Sequence, residues 1–68
     1  MTELICLVEE AVEGGFIAKA VGEGIFSEAE SLDELKFNIK EAVECYFKDG
    51  EAPKIVRLHI VKDELFTL

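Results

Sequence analysis

The segment SLDELKFNIKEAVECYFKDG, Ser31 to Gly50, is the one stretch of this chain with a helical apolar period, and its own residues mark both ends. Ser31 followed three residues later by Glu34 is a capping box, in which each side chain satisfies an orphan backbone donor of the other. Asp33 and Glu34 also suit the positive end of the helix dipole. Leu32, Leu35, Ile39, Ala42, Val43 and Tyr46 recur at helical spacing as one apolar stripe, with Lys36, Phe37, Lys40, Glu41 and Glu44 off it. Gly50 is available for a left-handed cap and Pro53 bars continuation. The spacing therefore predicts a helix from Ser31 to Phe47. A lone helix with one apolar face needs a sheet to cover.

The other apolar runs are short enough to be strands. ELICLVEE, Glu3 to Glu10, is apolar at successive positions, as in a strand buried on both faces and central in its sheet. Gly14 and Gly15 close a hairpin into FIAKAV. A second glycine-containing turn leads to IFSEAE, whose shortness and acidity suit an edge strand. KIVRLHIV alternates, so Val56, Leu58 and Ile60 are expected under the helix and Ile55, Arg57, His59 and Val61 on the opposite face. The order strand, strand, strand, helix, strand permits a right-handed crossover that pairs the fourth strand beside the first. The fold class is α+β: βββαβ, a four-stranded mixed sheet in order 3-2-1-4 with one helix on one face. The tail KDELFTL reads as a strand extension or as a segment held by Leu65 and Phe66. Its KDEL, Lys62 to Leu65, is an accidental match, because Phe66, Thr67 and Leu68 follow it.

One helix covers one face and leaves the other open. The open face would carry Ile55, Val61, the aliphatic stem of Arg57, His59 and the outward half of the first two strands, from the first either Leu4, Cys6 and Val8 or Ile5 and Leu7. Parity alone leaves both sets open. A single domain of 68 residues buries only about 60% of the surface its unfolded chain exposes. An apolar face left open on so small a core calls for a partner, so a homodimer or higher homo-oligomer, or a different chain, is expected.

Charge narrows the choice of partner. Seven basic against fifteen acidic residues give a net charge of −8, which repels phosphate backbones and favours a basic partner over nucleic acid. No apolar run approaches the ~18 residues of a membrane span, and the amino terminus has no basic region ahead of its apolar run. A cytoplasmic chain without membrane association is expected. Cys6 and Cys45 fall in different elements at neither redox nor zinc spacing, and are expected to be free thiols, buried or half-buried.

The candidate chemistry is sparse. Glu9, Glu10 and Asp63, at strand ends, are the acids best placed to hold a divalent metal. Two-metal hydrolysis needs about four ligands converging in one pocket, so these three read as a solvated acidic rim. His59, the single histidine, has no Cys, Ser or acid at a spacing that would fix it as a base, and reads as a surface or interface residue. The glycines lead into strands and form no phosphate loop. With no cofactor motif and no nucleophile paired to a base, an enzyme is not expected.

LVEEAVEGGFIAKA, the acidic third strand and SLDELKFNIKEAVECYF together resemble the amino-terminal domain of the HicB family of antitoxins over nearly the whole chain. The resemblance is carried by Glu9 and Glu10, by Gly14-Gly15-Phe16, by Ser31-Leu32-Asp33-Glu34, and by Glu41-Ala42 with Tyr46. It implies a partial ribonuclease-H-like βββαβ domain that inhibits a small basic HicA-like ribonuclease by covering its RNA-binding surface. VGEGIF replaces the family's usual Pro-x-Leu-Pro-Gly-Cys segment, and no helix-turn-helix or ribbon-helix-helix follows Leu68, so a stand-alone domain without promoter binding is expected. The expected interface joins Glu9, Glu10, Glu28 and Glu30, which steer the basic partner, to Ile55, Arg57, His59 and Val61. The alternative, from a different class, is a homo-oligomeric scaffold or adaptor with no toxin.

Overall fold

Strand β1 (Glu3–Glu10) runs up the middle of the sheet, antiparallel to β2 (Phe16–Ala20) on one side and parallel to β4 (Ile55–Val61) on the other. β3 (Phe26–Ala29) pairs antiparallel with the outer side of β2, so the sheet order is β3-β2-β1-β4, and α1 (Leu32–Tyr46) connects β3 to β4. The fold expected from the sequence is the fold observed. This computed structural model describes residues 2–48, 50–62 and 64–68.

The hairpin between β1 and β2 closes where expected. Gly14 and Gly15 adopt φ of 101° and 82°, which a side chain resists. Gly15 has a second constraint: a Cβ there would stand 2.7 Å from the Ala29 carbonyl oxygen at the end of β3. The glycine thus lets the hairpin lie against the neighbouring strand.

The helix starts as its sequence dictates. Ser31 is the N-cap, extended in backbone, and its Oγ accepts the Glu34 N–H at 3.2 Å. Only this half of the capping box forms. At the other end Phe47 is an extended cap whose N–H donates to the Val43 carbonyl at 3.1 Å. Gly50 does not cap the helix as expected. Its φ of 83° serves the following turn, where the Glu51 N–H donates to the Lys48 carbonyl at 2.9 Å.

The core settles the parity of β1. Leu4, Cys6 and Val8 point toward the helix and are buried with Ala18, Ile25, Leu35, Ile39 and Val43; Ile5 and Leu7 face away. Burying each such aliphatic side chain contributes about 1.5–3 kcal/mol, and no polar side chain is buried among them. Of the expected helix stripe, Leu32 and Ala42 are half-buried and Tyr46 is exposed at its edge.

The helix is not centred over the sheet. It lies closest to β3 and β2 and is tied there by two bonds: Asn38 Nδ2 donates to the Glu28 carbonyl at 3.2 Å, and the Tyr46 hydroxyl accepts the Gly24 N–H at 3.4 Å. Tyr46 and Phe47 stack edge to face with centroids 5.0 Å apart, which closes that end of the helix against the core. This shift corrects the expectation for β4. Val56 and Leu58 lean on the core half-buried, while Ile60 is exposed rather than under the helix. The tail is corrected too: residues 64–68 form no strand, and Leu65, Phe66 and Leu68 are exposed rather than anchoring it. Cys6 is buried as expected, and loss of solvent pushes its thiol pKa up, so it stays protonated and inert. Cys45 is exposed, because it falls on the outer side of the helix; both are free thiols.

Candidate functional site

Strand alternation and register place the open face in rows. The central row runs Phe26, Lys19, Leu7, His59 across β3, β2, β1 and β4. The next row toward the carboxyl end of β1 is Glu28, Ile17, Glu9, Val61, and on the other side Ile5 stands beside Arg57 and Glu3 beside Ile55. Ile5, Leu7, Phe26, Ile55 and Val61 are all exposed. These side chains share one surface that the helix never reaches.

A charged clamp crosses one end of that surface. Arg57 Nε donates to Glu3 Oε1 at 2.8 Å and Arg57 Nη2 to Glu3 Oε2 at 3.2 Å, a two-point contact between parallel neighbours. The guanidinium hydrogen bond holds the Glu3 carboxyl below its ordinary pKa, and the carboxylate in turn raises that of Arg57. The pair thus stays ionised and neutral in sum.

The opposite end is acidic. Glu9 and Glu28 lie on the open face on either side of Ile17. Glu10 falls on the other parity, in the row of Phe16 and Ala29, and Glu30 follows β3 just before the Ser31 cap. Glu28, Glu30 and Glu34 border a shallow depression floored by Phe16 and Ile17, and Glu9 and Glu10 border another beside Val61. The four expected acids therefore share one end of the sheet but not one face. As metal ligands Glu9 and Glu10 point to opposite sides, Asp63 lies outside the described residues, and no three His, Cys, Asp or Glu side chains among the described residues gather as a metal site. His59, exposed between Arg57 and Val61 on β4, has Leu7 as its neighbour across the strands rather than a nucleophile.

Ile55, Arg57, His59 and Val61 all lie on the open face, as expected. Sequence reasoning missed Glu3, Ile17, Lys19 and Phe26. Phe26 was within reach, since it shares the parity of Glu28. Glu3 was not, because its partner is set by the parallel register of β1 and β4, which no local pattern encodes.

Relatives point to the same small family. The chain is 52% identical over 52 residues to a UPF0150 protein of Archaeoglobus fulgidus, covering 76% of this chain and 77% of that one. It is 39% identical over 61 residues to a UPF0150 protein of Thermotoga maritima, covering 90% and 86%. The chain belongs to the UPF0150 family. No protein-family model matches it, and no solved structure does. Among the described residues of this UPF0150 member no helix is long and apolar enough to cross a membrane.

Proposed function

We propose that this UPF0150 chain is a HicB-like, non-catalytic protein-binding domain, an antitoxin that masks a small basic HicA-like ribonuclease. The observation that supports it is the asymmetry of the sheet: one face covered over β3, β2 and β1 by α1, the other apolar, exposed and bordered by Glu9, Glu28, Glu30 and Glu10 at one end. Leu7, Ile5, Phe26 and Val61 supply the contacts that hold a docked partner. The acids act earlier, raising the rate at which a basic surface arrives in the right orientation.

A second reading rests on the Glu3–Arg57 pair. It neutralises its own end of the open face, so Ile5 and Ile55 sit in surroundings that repel no second copy. In that reading the chain is a homo-oligomeric scaffold and needs no toxin.

Association and dissociation rates with a small basic ribonuclease encoded beside this chain separate the two. Glu9→Lys/Glu28→Lys should slow association and flatten its salt dependence, since exposed charges are screened over about 8 Å at physiological ionic strength. Leu7→Glu should speed dissociation and restore RNA cleavage. Salt-independent association would remove the electrostatic half, and no binding would leave the scaffold. Metal-dependent cleavage of RNA or DNA by the chain alone, lost in Glu10→Ala, would refute the non-catalytic assignment.

A further inference from the structure

The shift of α1 toward β3 leaves a second unfilled surface on the helix side of the sheet. Between α1 and β4 runs a groove of about 510 Å³, walled by Ile39 and Val43 of the helix and by Pro53, Val56 and Leu58 of the fourth strand and its approach. Lys36, Lys40 and Lys54 also line it, together with Glu44. Three of the seven basic residues of a chain with net charge −8 thus border one groove, and among the described residues none of the three lysines has a carboxylate within salt-bridge distance. An acidic, apolar strand would complement it on both counts.

The chain carries such a segment. Leu65, Phe66 and Leu68 are 96%, 83% and 109% exposed, follow Glu64, and touch no core. The chain's longest dimension is 52 Å and its radius of gyration 13.3 Å, against about 11 Å for a compact globule of this length. Residues 64–68, extended, span about 17 Å, the same as the stretch from Lys54 to Leu58, whose Lys54, Val56 and Leu58 line the groove.

We propose that the groove between α1 and β4 takes the 64–68 segment of a second copy of this chain. Leu65, Phe66 and Leu68 fill the apolar floor and Glu64 meets the lysine rim. The exchange is reciprocal, so two tails fill two grooves in a closed two-fold dimer. It uses neither open sheet face and leaves both free, so it stands independently of the function proposed above.

Sedimentation velocity of the full chain from 1 to 500 µM, a range of about three decades chosen to span weak and strong self-association, tests this with five variants. Phe66→Asp should raise the dimer dissociation constant at least about tenfold. Glu64→Lys and Lys40→Glu, both on the surface, should each weaken the dimer, and the double variant should recover most of the loss. Leu7→Glu, on the open face, should leave it unchanged. A monomer throughout, or a dimer insensitive to Phe66→Asp but broken by Leu7→Glu, would overturn the proposal. So would a tail protected from proteolysis in a concentration-independent monomer, since the tail would then fill its own groove.

Discussion

Leu4 and Leu7 lie three residues apart on the same strand, yet one is 2% exposed and the other 42%. The difference is entirely one of face. Leu4 points at Leu35, Ile39 and Val43, whose helix exists because Ser31 starts it and whose position is fixed by Asn38 and Tyr46. Leu7 points away from the helix and has only its cross-strand neighbours Lys19 and His59 beside it among the described residues. β1 is therefore apolar at successive positions for two separate reasons: its even residues make the fold, and its odd residues make a surface. A strand central in a sheet has this composition in any case, so composition alone cannot tell a core from an interface.

The widest test of that contrast uses the same substitution on both faces. Leu4→Ala should cost about 2–5 kcal/mol, through lost burial and an unfilled cavity. For a domain of this size that is a large share of the about 3–10 kcal/mol a chain of this length commands, so the variant should unfold at much lower denaturant or not fold at all. Leu7→Ala should cost less than about 1 kcal/mol at low protein concentration. If the stability of the parent chain rises with concentration and that of Leu7→Ala does not, the open face is buried against another copy. Equal losses from the two substitutions at low concentration would end the division of β1 into fold and surface.

How much of this was legible in the sequence follows from the range of each interaction. The helix, its start and the strand order rest on local signals: the Ser31 cap, the Gly14-Gly15 turn, and the periods of two and of three to four. The membership of Ile55, Arg57, His59 and Val61 in the open face follows from alternation within one strand. The parity of β1 did not, because every position from Leu4 to Val8 is apolar and either assignment buries apolar side chains. The place of the helix over β3 rather than over β4 depends on Asn38 reaching the Glu28 carbonyl and on Tyr46 reaching Gly24, contacts between residues far apart in the chain. Hence Ile60 and the α1–β4 groove were beyond reach. The tail followed the same rule: Leu65 and Phe66 are apolar enough to be buried, yet both are exposed, and no local pattern says what they would pack against.

A smaller effect sharpens the contrast from the helix side. Ser31→Ala removes the acceptor of the Glu34 N–H and should cost about 1 kcal/mol. The loss should appear in the protection of helix-face amides and leave the open-face strand β4 less affected, since β4 is paired to β1 and not held by the helix. Hydrogen exchange of Ile39 and Val43 against Arg57 and His59 reads this directly. Uniform loss across both sets would mean that the two faces open as a single unit.

The smallest effect belongs to the open face alone and has a sign fixed by titration. The Glu3 carboxyl is lowered from its ordinary pKa of 4.5 by its bond to Arg57, so the folded chain binds that proton less readily than the unfolded one. Its contribution is complete above the unfolded value and is lost as pH falls through the lower folded value. Both groups are at the surface, so the contribution is modest and salt reduces it. The difference in unfolding midpoint between the parent chain and Glu3→Gln, followed from pH 7 down to pH 2.5, a span set to run past ordinary carboxyl titration, cancels the other acids common to both. It should favour the parent at neutral pH, shrink below about pH 4.5 and vanish once Glu3 is protonated. Raising the salt at neutral pH should shrink it as well. A difference independent of both pH and salt would mean that Glu3 acts by packing beside Ile55 and not by its charge. The neutral end of the open face would then be a matter of shape, and the scaffold reading would lose the one observation in its favour.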